Sequence, residues 1–148
     1  LGLPFGLFLS SILALVQDYK KNIIYSANQI ISLFPKVRLL KLKNSKKNKW
    51  SELIEIFLIN LGNLESKESI GIFPLGNINK NNLDFLVENF KNSSDKEFKI
   101  LNQFKDIFSF KKKIFIFEVG EINKEELDHF KEKIRSLENE FSTIIIDN

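Results

Sequence analysis

Lys80 follows a turn-rich loop and precedes an amphipathic stretch, and this placement is the first chemistry the sequence offers. Residues 69–90, SIGIFPLGNINKNNLDFLVENF, read as a buried strand over 70–73, a loop over 74–82 and a helix over 83–90. Ile70, Ile72 and Phe73 favour a strand. Pro74, Gly76 and the clustered Asn residues supply turn chemistry. Leu83, Leu86, Val87 and Phe90 share one helix face. A loop in this setting holds a phosphate when glycines let backbone N–H groups curl around it and a lysine reaches its oxygens. Lys80 is present, but the glycines are not. The plain alternative for Lys80 is a solvated loop lysine.

Acids stand at the ends of two other apolar runs. IFIF (114–117) is followed by Glu118 and Glu121, and the run 143–146 is closed by Asp147. An apolar strand ending in an acid can serve magnesium in phosphate chemistry, though many strands end in Asp without doing so. His129, the single histidine, sits in a Lys/Glu-rich helix and reads as a surface side chain. There is no Cys, which excludes disulfides, zinc–thiolate sites and thiol catalysis. These residues assign no catalytic, cofactor-binding or metal site.

Around them, the 148 residues suffice for one core. A composition 43% hydrophobic and 28% charged is that of a globular chain, and a net charge of +3 says little by itself. The excess of Phe, Ile, Lys and Asn with scarce Ala resembles coding bias in an AT-rich genome. Ser26 is placed to cap a short helix that stops before Pro35. Residues 37–42 form a possible short strand, and 44–49 a polar linker. Over 50–61, Leu53, Ile54, Phe57, Leu58 and Leu61 make one apolar stripe, with Ser51 as cap and Gly62 and Asn63 as stop. Residues 91–96 read as a polar turn. The apolar positions over 98–107 fit either a second helix or an irregular surface segment. Gly120 and Asn123 mark a turn. A clear amphipathic helix then spans 124–141 through Leu127, Phe130, Ile134, Leu137 and Phe141. Three uninterrupted apolar strands, each bounded by helix, imply an α/β fold of three layers, a mostly parallel sheet with flanking helices. Sites in such folds lie beyond the carboxyl ends of the strands.

Residues 1–16 carry no charge. They are slightly short of the roughly 20 residues of a full membrane span, which a truncated start would explain. A buried helix is the alternative. A signal peptide fits less well, since a basic leader and a cleavage pattern are missing. Between Asp18 and Trp50 there are nine Lys/Arg (Lys20, Lys21, Lys36, Arg38, Lys41, Lys43, Lys46, Lys47 and Lys49) against the one acid, Asp18. That is a positive-inside pattern, and it also suits contact with anionic lipid headgroups. A nucleic-acid patch competes for the same charges. The adjoining apolar run favours the lipid bilayer as partner, with no nucleic acid. The expected organisation is a transmembrane helix over 1–17, a basic juxtamembrane linker over 18–49 and an α/β domain over 50–148, with both ends of the chain appearing cut.

Taken together, these stretches resemble the C-terminal half of the bacterial polysaccharide chain-length determinants, the polysaccharide co-polymerases, and more narrowly those fused to a tyrosine autokinase. GLPFGLFLSSILALVQDYKKNIIYSANQIISLFP resembles that family's second transmembrane helix and following segment. WSELIEIFLINL resembles the helix before the kinase P-loop, and IGIFPLGNINKNN the first strand and the P-loop itself. HFKEKIRSLENEFSTIIID resembles the helix and strand that end in a magnesium-associated Asp. The resemblance implies a P-loop-like fold in the bacterial inner (cytoplasmic) membrane, with its main domain cytoplasmic. It also implies homo-oligomers or polysaccharide-assembly proteins as partners.

The chain departs from the family where catalysis resides. The family's loop runs glycine, acid, glycine, lysine, Ser or Thr; here Asn77, Ile78, Asn79, Lys80 and Asn81 stand in those places. A Cβ at the asparagines crowds a phosphate turn, Ile78 adds bulk, and Asn81 is a poorer magnesium ligand than a hydroxyl. IFIFEVGE lacks the family's Asp-x-Asp, and no Tyr-rich tail follows, Tyr19 and Tyr25 being the only tyrosines. The expectation is therefore a degenerate P-loop NTPase-like domain, a pseudokinase without a cofactor and not an enzyme, supporting chain-length control in exopolysaccharide or lipopolysaccharide biosynthesis. Two alternatives remain. One is a weak nucleotide-binding autokinase of the same family, using Lys80 and Asp147. The other is an unrelated small α/β adaptor.

Overall fold

The apolar runs at 70–73, 114–117 and 143–146 lack polar interruptions because protein covers them on both sides. A computed structural model describes residues 23–24, 26–33, 37–61, 69–137 and 141–148. In chain order the elements are α1 (Ala27–Ile31), β1 (Arg38–Lys43), α2 (Trp50–Asn60), β2 (Ser69–Pro74), α3 (Lys80–Ser93), β3 (Glu97–Ile100), β4 (Lys112–Glu118), α4 (Lys124–Ile134) and β5 (Ser142–Asp147). The five strands form one sheet in the order β1-β5-β4-β2-β3. Every pairing is parallel. The three runs expected to be neighbouring parallel strands are β2, β4 and β5, with β4 in the middle.

Side chains alternate across the sheet and feed two cores. Ile70, Ile72, Ile114, Ile116, Ile144 and Ile146 pack under α2 and α3, with Trp50, Ile54, Leu86 and Phe90. Phe115, Phe117 and Ile145 pack on the other side under α1 and α4, with Leu127, Phe130 and Ile134. Phe130 is the hub of that layer. Its ring lies 4.8 Å from Phe115 and 5.7 Å from Phe117, centroid to centroid, both edge-on. This is the preferred geometry for aromatic pairs.

The winding is consistent. The connections from β1 to β2 and from β2 to β3 step toward one edge and run through the α2/α3 layer. Those from β3 to β4 and from β4 to β5 step back through the opposite layer. Direction and face reverse together, so one crossover hand is kept.

Several local expectations change. The strand expected over 37–42 is β1, so the segment read as linker supplies an edge of the sheet. Residues Asn44–Lys49 form a 3-10 turn that runs straight into α2. Ser51 is therefore not a cap: the helix already starts at Trp50, whose indole Nε1 donates to the carbonyl of Lys43 at 2.8 Å. The α2 stripe is narrower than expected, with Ile54, Phe57 and Leu61 buried but Leu53 37% exposed. Residues 98–107 are neither one helix nor irregular: β3 pairs with β2, and Phe104–Ser109 is a 3-10 turn. The last helix ends at Ile134, and a 3-10 turn at Arg135–Leu137 carries Leu137 into the core. Ser26 does cap α1, its hydroxyl accepting from the N–H of Asn28 at 3.3 Å. Residues 1–16, Pro35, Gly62 and Asn63 lie outside the described residues, and among those described no helix is long and apolar enough to cross a membrane.

Phe130→Ala should cost about 3–5 kcal/mol in urea-induced unfolding, the usual range for a buried aromatic. Ile59→Ala, at a site 71% exposed, should change stability by less than about 0.5 kcal/mol. A Phe130→Ala loss no larger than that of Ile59→Ala would show that α4 does not cover the sheet.

Candidate functional site

In a parallel sheet the natural crevice opens between neighbouring strands whose connections leave on opposite faces. β2 and β4 are such a pair. The crevice is bounded by the loop 75–79 after β2 and the turn 119–123 after β4.

Both segments are stitched together. The N–H of Leu75 donates to the carbonyl of Ile116 at 2.9 Å, and that of Asn77 to the carbonyl of Glu121 at 3.0 Å. Gly76 has φ +74°, and a Cβ there would stand 2.5 Å from the Glu121 carbonyl oxygen. Only glycine fits this crossing without a shift. Beneath it, Glu118 is 4% exposed. Its Oε2 accepts from the backbone N–H of Asn79 at 2.7 Å, and its Oε1 from the side-chain amide of Asn82 at 2.7 Å.

The N-terminus of α3 completes the arrangement. The first N–H groups of a helix have no intrahelical partner and sit at the positive end of its dipole. Asn79 is the cap, and its Oδ1 accepts from the N–H of Asn81 at 2.9 Å and of Asn82 at 3.4 Å. Its carbonyl takes the N–H of Leu83 at 3.0 Å. The N–H groups of Asn77, Asn79, Asn81 and Asn82 are thus bonded within the chain, that of Asn79 to the Glu118 carboxylate.

The residues singled out by sequence fall in different places. Lys80 and Asn81 are exposed in the first turn of α3, which starts three positions earlier than expected. Ile78, expected to crowd the loop, packs against the α2/α3 core. Glu121 has an exposed side chain and contributes its backbone carbonyl. Asp147 pairs with Lys41 of β1, Nζ to Oδ2 3.2 Å. β4 lies between β5 and β2, so at normal strand spacing the ends of β5 and β2 are about 10 Å apart. Asp147 is paired with Lys41 and not with Lys80. The acid on the strand beside β2 is Glu118. His129 is exposed on α4, and no three acidic or histidine side chains among the described residues are grouped to hold a metal.

The Asn82–Glu118 contact was not foreseen from the sequence, although one signal was there. Asn82 shares a stripe with Leu86 and Phe90 at steps of four, and a polar residue on a buried stripe needs a partner.

An open cleft lies instead beside β3, with a volume of ≈ 530 Å³, and Lys99, Leu101, Asn102, Lys105 and Phe110 are among its lining residues. It exists because the crossover from β3 to β4 holds one 3-10 turn and no helix. Phe110 covers Gly71 there so closely that a Cβ on Gly71 would stand 2.9 Å from its ring.

No protein-family profile, curated protein or solved structure matches this chain. What the site can do is therefore read from its geometry. Glu118→Ala would leave two donors without their charged acceptor and should destabilise the domain by about 2–4 kcal/mol. Asn79→Ala should cost about 0.5–2 kcal/mol as a lost cap, and Lys80→Ala less than about 0.5 kcal/mol. Urea titration of the three variants checks the order; an effect of Lys80→Ala equal to that of Glu118→Ala would contradict it.

Proposed function

We propose that this chain is a membrane-anchored, kinase-like domain without catalytic activity that supports chain-length control in exopolysaccharide or lipopolysaccharide assembly. The polymer and the assembly partners enter through the resemblance to the polysaccharide co-polymerases. The P-loop-like reading is supported by the parallel sheet and by the strand–loop–helix order of β2, the loop 75–79 and α3. The observation that carries the inactive reading is Glu118, whose carboxylate takes the Asn79 N–H and the Asn82 amide in the crevice where a nucleotide's phosphates would be held. Phosphoryl transfer needs outward backbone donors, a metal and converging acids around the same point. Here the N–H groups of Asn77, Asn79, Asn81 and Asn82 are bonded within the chain, and Asp147 belongs to an ion pair on the far side of β4. In this reading the domain works by packing against neighbouring copies or assembly proteins at the bacterial inner membrane.

Two measurements test it. Calorimetric titration of the full chain in detergent with ATP and magnesium should show no binding tighter than about 100 μM, a threshold equivalent to about −5.5 kcal/mol. In cells, deleting the gene should shift the length distribution of a surface polysaccharide, and Lys80→Ala should restore it as well as the unaltered chain. Tight ATP binding lost in Lys80→Ala, or failure of that variant to complement, would favour the enzymatic reading.

A further inference from the structure

Because all five strands are parallel, their carboxyl ends lie on one rim of the sheet. The 3-10 turn Asn44–Lys49 leaves β1 on that rim. Lys43, Lys46, Lys47 and Lys49 are all exposed there, four lysines within seven residues, with no acid among residues 37–51. Lys47 lies over the ring of Trp50, 5.9 Å from Nζ to the centroid, and Trp50 itself is fully buried. The root of the turn is thereby fixed to the core. Of the rim's acids, Glu52 is exposed in the first turn of α2 beside the lysine turn and Asp147 pairs with Lys41, while the exposed Glu121, Glu125 and Glu126 belong to the β4–α4 side. The positive charge is concentrated at β1.

The chain also enters on this rim. Ile23 bridges to Asn123 in the turn after β4. The N–H of Ile24 donates to the carbonyl of Ile122 at 2.9 Å, and the N–H of Gly120 to the carbonyl of Ile24 at 2.7 Å. β1 and β4 are separated by β5 alone, so the strand ends beside the entry point and the lysine turn are about 10 Å apart. From Ile23 back to Val16 there are seven peptide links, which reach at most about 25 Å.

We propose that this rim faces the bilayer and that Lys43, Lys46, Lys47 and Lys49 contact anionic lipid headgroups. The proposal rests on the membrane-anchored reading above. With residues 1–16 in the membrane, a tether this short holds the entry rim near the interface, and the opposite rim, at Asn60 and Ser93, points away. A juxtamembrane lysine cluster gains about 1 kcal/mol per residue at an anionic surface, and the gain is screened by salt. Nucleic acid offers the same charge, but a tethered rim meets the headgroups first.

The absence of Cys permits single labels. Full-length Ser45→Cys and Asn92→Cys, each carrying a fluorophore, would be reconstituted into phosphatidylcholine vesicles with and without phosphatidylserine, with a quencher on the headgroups. Both positions are exposed, Ser45 in the lysine turn and Asn92 at the far end of α3. Expected is quenching at Ser45 at least about threefold greater than at Asn92 in phosphatidylserine vesicles, falling to parity in a K46Q/K47Q/K49Q background with an unchanged far-UV spectrum. Failure of the chain to float with any vesicle would defeat the anchored reading and this proposal with it. Flotation with equal quenching at the two labels would overturn this proposal alone, as would quenching indifferent to phosphatidylserine. Displacement by duplex DNA, salt-dependent and lost in the triple variant, would reassign the patch to nucleic acid and overturn the lipid assignment.

Discussion

A parallel sheet has no face to leave to water, and most of this structure follows from that constraint. Its crossovers must pass over both sides, so each central strand is apolar on both. β4 meets the requirement by alternating residue shape. Ile114 and Ile116 fill the α2/α3 layer, and Phe115 and Phe117 fill the α4 layer. The ring cluster around Phe130 also takes in Phe73 and Phe104. This is why a Phe-rich composition, whatever its genomic origin, is compatible with a well-packed core. Where the crossover shortens, between β3 and β4, cover thins and the cleft beside Lys99 and Lys105 appears.

The same winding creates a crevice between β2 and β4, and such a crevice presents polar groups that need partners. An enzyme leaves them to a ligand. Here Glu118 reaches both the loop and α3, and its two oxygens serve donors from two different elements. A carboxylate near a helix N-terminus is favoured by the dipole as well as by the hydrogen bonds. The contact thus links β4 both to the loop at Asn79 and to α3 at Asn82.

How much of this could be read from the sequence depends on the range of the information. The IFIF run, the TIII run and the Leu127–Phe130–Ile134 spacing carry their burial in their own pattern, and they form β4, β5 and the buried face of α4 as expected. β3 did not read as a strand because EFKI is four residues long and half charged, and its pairing with β2 is tertiary. Ser51 misled because the helix inherits its start from the preceding 3-10 turn, so no new cap was required. Asn77 and Asn79, which stand where the resembled family has glycines, bond within the chain, Asn77 through its N–H to Glu121 and Asn79 as the cap of α3. The occupant of that loop could not be read, since Glu118 lies 36 residues from Asn82. The strand order that separates Asp147 from Lys80 is likewise a property of the whole sheet and of no single motif.

The closed crevice and the lysine turn occupy the same rim, and this bears on how they coexist. A working phosphate site must stay open to a soluble nucleotide, and its outward N–H donors would also attract lipid phosphates if held close to a membrane. A rim tethered near anionic headgroups with an open cradle would therefore have two competing ligands. With Glu118 inside, the Asn79 N–H is already bonded, and the exposed lysines of the rim, Lys80 and those of Lys43–Lys49, add a diffuse positive charge. Such charge orients a domain without selecting a ligand, because exposed lysines are screened point charges on flexible stems. A loop bonded within the chain and strand ends laid toward a bilayer, as proposed, are then mutually compatible. In that proposed orientation the outer side of α2, with Ile56 and Ile59 exposed, would lie clear of the lipid.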